Sequence, residues 1–573
     1  MRRGGWTLAP LLLLAGALPS ACGGGDEAGS DASIADGGAA DAPVVTPAPD
    51  PPVLLPCADG WRQIDSEDGI STCDPWPEGG ALDCAEHEAH FPGEVGCVAV
   101  GTACPAGDFA DDLPTDVMVQ HVLAGATGGD GTLALPFGTI GEANSAAGPG
   151  HVLAIGKGSY DEVVRPRAEL VLHGSCVAET VLTSSETALI EGVIVANRPG
   201  TVTLRNLRIS ASARVGISSA SGGVRLVVED VIVEGATTAG IYVALADLEA
   251  RGLVVRDTRA SLTSGGAGLI LQSGGAVIER AVVERNLEVG VALVGASATL
   301  EDVAIHDTQS AIMTDEWGRA LQLTGAADLT LRRAALERNR DVTVLLVGDG
   351  TVGRVEDTVI RGTLPNAADD LRGRGIDNTP GAHLTLARVL AEHNLGISIQ
   401  AGGASTEMVM TDCVVRDTGS RASDGTRGRG INVQDYAVTT IERTLVLRSR
   451  EAGIAAADPG AEVDMVDVRV EQTRRRACAD DTCADEPLGI GIGAFRQAHI
   501  AGSRFAVTDS AICGLQLAID GEIDLSSGEI TGAEVGACIQ VDGYDLDRIT
   551  EDVVYRDNGI NLDATMLPVP EST

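Results

Sequence analysis

Three arginines, Arg319, Arg374 and Arg429, recur at intervals of 55 residues in a chain with 82 acidic and 41 basic residues. A guanidinium group presents its donors in a rigid fork, the geometry that grips carboxylate or sulfate. Three positions after each arginine stands Gln322, Asp377 or Asn432, and Gln400, Gln434 and Tyr436 lie close by in register. Amide, carboxylate and phenol groups suit sugar hydroxyls, and Trp317 offers one aromatic platform. Asp315 and Asp370 share the 55-residue interval, as do Asp369 and Asp424. Two readings follow. The side chains form a ligand-binding column, or each arginine pairs with its own loop aspartate and pins that loop down. Either way, segments 55 residues apart must stack in register.

The elements that could do this appear from residue 200 onward, where the chain repeats itself. Segments beginning at Glu229, Arg251, Glu279, Glu301 and Thr411 alternate apolar and polar residues, the period of a strand. Most are followed by a small and then a branched residue, as in Gly216-Ile217, Gly240-Ile241, Gly375-Ile376, Gly430-Ile431 and Gly453-Ile454. Units of 22 to 24 residues hold two or three short strands, one coil of a solenoid. From residue 251 these short coils alternate with long ones of 28 to 36 residues. Long coils carry Thr258, Thr308, Thr363, Thr418 and Thr473 at one position, where three short coils carry Asn286, Asn339 and Asn394. Asparagine tolerates a left-handed turn and threonine does not. The long coils are therefore expected to leave the wall there, as insertions Ser261–Gly266, Gln309–Gly318, Leu364–Gly373, Gly419–Gly428 and Arg474–Pro487. Coils stack at ~4.8 Å, so the insertions should form a ridge along one edge. Strand alternation turns the arginine column outward beside it, with Ser398, Asp435 and Tyr242.

This pattern resembles the pectin-lyase-like right-handed parallel β-helix proteins over roughly residues 150–560. Asp130-Gly-Thr, Leu135-Pro-Phe-Gly-Thr-Ile140 and Ile155-Gly-Lys-Gly-Ser-Tyr160 resemble the opening of many secreted β-helix proteins, in which a short helix, here about 139–147, covers the first coil. The resemblance implies an all-β chain: a right-handed parallel β-helix of about 15 coils behind a small disulfide-rich segment. Its relatives include polysaccharide lyases and glycosidases. The polygalacturonase-type Asn-Thr-Asp, Gly-His-Gly and Arg-Ile-Lys motifs are absent, as is the Trp-x-Asp-His pattern of pectate lyases; Asn378-Thr379 runs into Pro380. No catalytic residue is assigned. His393 is the best single base candidate, though its place in the repeat fits a turn better.

Other features set context. Arg2 and Arg3, the apolar run Leu11–Leu14 and small residues up to Ala21-Cys22 read as an export signal, residues 1–21. Leu18-Pro19-Ser20-Ala21-Cys22 resembles a bacterial lipobox, with Pro19 its departure, which makes Cys22 the expected lipidation site. The chain is then expected to be exported and held by that anchor at the cell-envelope surface, the outer membrane where there are two, or to be extracellular. Residues 22–56 read as a tether, 57–115 as a cysteine-rich knob, 116–150 as the cap, 151–560 as the helix and 561–573 as a tail. In an exported chain Cys57, Cys73, Cys84, Cys97 and Cys104 suggest disulfides, one of them with Cys176 as a candidate partner. Cys478 and Cys483 bracket an acidic loop; Cys513 and Cys538 fall at nearly equivalent positions of neighbouring coils, within disulfide reach. Cys413 reads as a buried thiol. No metal or cofactor motif appears, and the charge permits calcium without any calcium loop to support it. A net charge of −41 excludes a nucleic-acid partner. Only 2% aromatic residues argue against a sugar-degrading cleft. The ligand class expected is a polysaccharide or surface glycan, bound by a non-catalytic module, with a lyase or hydrolase acting along the ridge as the alternative.

Overall fold

A computed structural model describes residues 46–571 apart from 67–68, 189–190, 212, 262–264, 478–487 and 565. Cys22, Cys478 and Cys483 lie outside the described residues. The chain winds into a parallel β-helix. One wall is a 15-stranded parallel sheet, running from Gly192–Val195 to Ile560–Asp563 with one short strand per coil. The other walls come from longer strands such as Asp247–Arg256 and Val438–Leu447, each bent in the middle. At the bend one residue takes a left-handed conformation, among them Asp302, Arg333, Asp357, Arg388, Asp412 and Arg443. The interior is a stack of aligned columns: Ile376, Ile399, Ile431 and Ile454 sit directly above one another. Val, Ile, Leu and Ala fill it, which is why so few aromatics suffice.

Apart from Gly396, which takes a left-handed turn, the glycines before the core isoleucines do not serve a turn. Gly216, Gly240, Gly430, Gly453, Gly491 and Gly514 have no left-handed φ; they lack a Cβ because the opposite strand leaves no room. A Cβ on Gly453 would sit 2.3 Å from Val470 Cγ1 and 2.7 Å from the Gly491 carbonyl oxygen.

The asparagine expectation is corrected. The left-handed residue is the one before it, Arg285, Arg338 or His393, and the long coils have the same turn at Asp257, Asp307 and Asp417. Asn394 instead points inward: its Nδ2 donates to Ile360 O at 3.3 Å and its Oδ1 accepts from Thr363 N at 3.2 Å. Asn339 and Asn286 do the same one and two units earlier. They satisfy backbone groups that the corner leaves unpaired. Ser398 also belongs inside, bonded to Thr418, and not in the outward column.

Aspartate and arginine alternate coil by coil at the first left-handed corner from Arg280 to Arg504, and at the second from Asp257 to Arg448 wherever Gly362 and His393 do not interrupt. Arg333 grips Asp302, Arg388 grips Asp357, Arg443 grips Asp412 and Arg504 grips Asp467, each through two donors. Arg285–Asp257, Arg338–Asp307 and Arg448–Asp417 form the second ladder. The Arg504 bonds hold the Asp467 carboxyl below its ordinary range, and the Arg548 bonds, aided by His499, bring Asp524 down to about 2. A carboxyl whose folded pKa is depressed adds stability above its unfolded pKa and loses it as pH falls through the folded value. Thermal stability should therefore be level above about pH 5 and drop steadily between about pH 4 and 2. A melting temperature unchanged down to about pH 2 would remove these ladders as contributors.

Both ends are closed. The predicted cap is helix Ile140–Ala146, with Thr139 and Glu142 forming a reciprocal capping box and Glu162 accepting from Ile140 N and Gly141 N. Ile140 and Ala143 bury the first coil. At the far end Asp547–Thr550 makes one helical turn that seats Ile549 in the core.

The cysteine-rich segment lies along the outside of the helix. Disulfides join Cys57–Cys73, Cys84–Cys97 and Cys104–Cys176, the last tying the segment to the coils. Trp76, Phe91 and Val100 cover Ile232, Val254, Val282 and Ala304, while Leu54, Trp61 and Ile70 cover Val359, Leu390 and Val414. This corrects the simple alternation: in Val231-Ile232-Val233 all three residues are buried, the outer one beneath this segment. Asp50 and Val53, in the stretch read as tether, donate to Asp467 and Asp412. Cys513 and Cys538 are bonded, but three positions out of register, since Cys513 faces Val535 and Gln516 faces Cys538. Cys413 is buried, which pushes its thiol up to about 12. No described helix is long and apolar enough to cross a membrane.

Candidate functional site: the arginine column

The expected column lies on the outer face of the 15-stranded sheet. Across the coils, Gln322, Leu345, Asp377, Gln400 and Asn432 stand side by side. Arg319, Arg374 and Arg429 form a second row, alternating with Val342 and Ile397 of the short coils. The 55-residue interval puts each row in register, whereas alternation alone would set residues three apart, such as Arg319 and Gln322, on opposite faces.

Their chemistry is mostly turned on one another. Arg319 donates through Nε to Asp341 at 2.8 Å and through Nη1 to Gln322 at 2.8 Å. Arg374 Nη1 meets Asp377 at 2.7 Å. Arg429 Nε reaches Glu451 at 2.8 Å and its Nη1 reaches Asn432 at 2.7 Å. The three residues are 8%, 8% and 1% exposed. Gln400 and Gln434 are buried; Tyr436 and Trp317 are exposed, with Arg319 stacked 5.7 Å over the Trp317 ring.

The expected arginine–loop pairs are not formed. Asp315 and Asp370 occupy left-handed loop turns, and Asp369 and Asp424 fold their loops by accepting from Leu371 N and Thr426 N. Arg421 holds Asp424. The acids that meet Arg319 and Arg429, Asp341 and Glu451, are the turn residues of the following short coils. Glu288, Asp341 and Glu451 were spaced to show this, but they stand outside the segments on which the repeat was recognised. The insertions do stack: Ser423 N donates to Asp370 O, and Ala477 N to Ser420 Oγ.

Sequence reasoning missed a second surface. A shallow trough of about 440 Å³ lies over the first halves of the long strands, floored by Ala276, Val277 and Thr299 and flanked by the ion pairs Arg225–Glu249 and Arg354–Asp328. Ser297, Thr299 and Thr330 are among its lining residues. Its signal was the run of small residues at outward positions. His393, the base candidate, occupies a left-handed turn. The single group with metal-ligand spacing among the described residues, Cys104, Cys176 and Glu179, has its two sulfurs in a disulfide and so no thiolates to offer.

A family described as right-handed β-helix region matches residues 191–360. The fold is a right-handed parallel β-helix. Solved structures similar to it include a chain of the Vag8–C1 inhibitor complex (14% identity, 72% of this chain and 100% of that one, TM-score 0.41). Others are the catalytic domain of a GH87 α-1,3-glucanase (11%, 81% and 71%, TM-score 0.37) and the pectate lyase Pel9A (12%, 81% and 93%, TM-score 0.24). No curated protein matches the chain.

Proposed function

We propose that this β-helix is an exported, lipid-anchored cell-surface module that binds glycans without cleaving them. The observation that carries this reading is the state of the arginine column. Its guanidinium groups are spent on Asp341, Asp377 and Glu451, inside the wall, and leave few donors for a substrate. A catalytic groove needs charged groups facing the reacting bond; a binding module needs only an open face with some hydrogen-bonding groups, and the trough between Arg225 and Arg354, apolar along its floor, has Ser297, Thr299 and Thr330 in its lining. Cys22 supplies the anchor, and the acidic stretch that follows it sets the module away from the membrane.

A glycan array tests the binding role. The chain should retain glycans when Arg374 is replaced by alanine and lose them with Arg354→Ala and Thr330→Ala combined. Binding abolished by Arg374→Ala in a folded chain would return the ligand to the arginine column. A lyase or hydrolase on the ridge is the second reading, favoured by one detail: Asp377 Oδ1 is buried beside Arg374 without a hydrogen-bond partner among the described residues.

A further inference from the structure

Residues Met566–Glu571 run across the outer face of the 15-stranded sheet, over the coils that follow the arginine column. The strap is extended, and its carbonyls accept from side chains on successive coils. Gln540 Nε2 donates to Leu567 O at 3.0 Å and Gln516 Nε2 to Pro568 O at 3.1 Å. Arg496 Nη1 donates to Pro570 O at 2.8 Å, and Arg429 Nη2 to Glu571 O at 2.6 Å. Leu567 packs on the Cys513–Cys538 disulfide, Ile512 and Val535; Val569 packs against Ile490 and Phe495. Prolines at 568 and 570 cost no hydrogen bond in such a segment and lower the entropy of holding it extended.

The strap ends at a break in the arginine ladder. Glu288, Asp341 and Glu451 are the acidic turn residues of alternate coils, but the fourth member of this series is Gly396. Two insertions nevertheless bring Arg372, Arg374, Arg421, Arg427 and Arg429 around that gap. Arg372 takes Asp341, Arg374 takes Asp377, Arg421 takes Asp424 and Arg429 takes Glu451. Arg427 uses its backbone N–H on Glu451, and its guanidinium has no hydrogen bond or ion pair among the described residues. Partial burial, then the charges of Arg421, Arg429 and Arg374, bring it down to about 10. In a chain of −41 net charge, this is a half-buried cation held among cations. Two acids act on this cluster: Glu451 on Arg427 itself, and the strap's own Glu571 on the neighbouring Arg421.

We propose that this face is a binding groove for extended acidic peptides of the pattern apolar–x–apolar–x–acid, occupied in cis by Leu567-Pro-Val-Pro-Glu571. The two apolar residues enter the pits that Leu567 and Val569 fill, the amides of Gln540 and Gln516 hold the backbone, and the acid lands on the arginine cluster of Arg421 and Arg427. The strap is the built-in competitor, so a partner segment must displace it.

The test uses the full chain and a fluorescent synthetic peptide spanning Met566–Thr573. Replacing Leu567 and Val569 by aspartate should free the groove, so that this variant binds the peptide at least about tenfold more tightly than the parent chain. Adding Arg427→Ala, or changing Glu571→Gln in the peptide, should each weaken binding about tenfold, the worth of one charge-assisted hydrogen bond. No binding by the opened, folded variant overturns the proposal. So does binding indifferent to both charge changes, or an acidic oligosaccharide that displaces the peptide more effectively than the free peptide itself. If the aspartate variant does not fold, a fluorophore on Met566→Cys reads the same equilibrium in an otherwise intact chain. Excess peptide should lower its anisotropy as the strap leaves; unchanged anisotropy overturns the proposal.

Discussion

Gly453→Ala should destabilise the coil stack by about 3 kcal/mol, the upper end of what overpacking a well-filled core costs. Replacing glycine in a strand ordinarily helps, because it removes backbone freedom from the unfolded chain. Here the added methyl would lie 2.3 Å from Val470 Cγ1, with the Gly491 carbonyl oxygen at 2.7 Å on its other side. Neither neighbour can yield alone. Val470 is a fully buried core side chain, and Gly491 belongs to the next strand of the same sheet. Pairing the change with Val470→Ala removes the first contact but not the one with the Gly491 carbonyl, so the double variant should recover part of the loss, as contacting residues couple. Guanidinium denaturation of the three chains checks this. A single variant as stable as the parent would mean the coils can slide apart, and the interior column would not be tightly packed.

Arg429→Ala should cost about 3–5 kcal/mol, because it leaves Glu451 buried without its cation. Arginine and acid are 1% and 3% exposed, and Arg429 also anchors Asn432 and the Glu571 carbonyl. Burying two charges is expensive, so the pair itself adds little net stability. Arg429→Met with Glu451→Leu should therefore lose far less than Arg429→Ala alone, because the uncompensated carboxylate is gone. If the single and double variants fall equally, the cost lies in packing and not in charge.

Much of this architecture could be read from particular residues. The Gly-Ile pairs marked one strand per coil, and at Gly216, Gly240, Gly430, Gly453 and Gly491 the reason lay in close packing against a valine and not in turn geometry. The cap was legible through Thr139 and Glu142, whose spacing is local. Asn286, Asn339 and Asn394 were correctly picked out but given the wrong task. A left-handed turn and an inward hydrogen bond both select asparagine, and only the neighbour's conformation separates them. The Asp–Arg ladders were in view at the second position of each repeat, as Asp302, Arg333, Asp357 and Arg388, but alternation across two coils signals pairing only once register is known. The strap could not be foreseen. Leu567-Pro568-Val569 carries no period, and its contacts lie 27 to 142 residues away in sequence. The same is true of Trp76 and Phe91, whose apolar partners looked like ordinary strand residues. The arginine column was located correctly, while its partners, Asp341 and Glu451, stood on the coils next door.

The central claim is that this β-helix binds and does not cleave, with its arginines committed to the wall. The most direct measurement incubates the full chain with a panel of acidic and neutral polysaccharides, with and without calcium, following unsaturated product by ultraviolet absorbance and new reducing ends by colour. The account predicts no product above a blank from any polysaccharide, including those the chain retains. Product that accumulates with the wild type and disappears with Asp377→Asn, in a variant that folds normally, would contradict it.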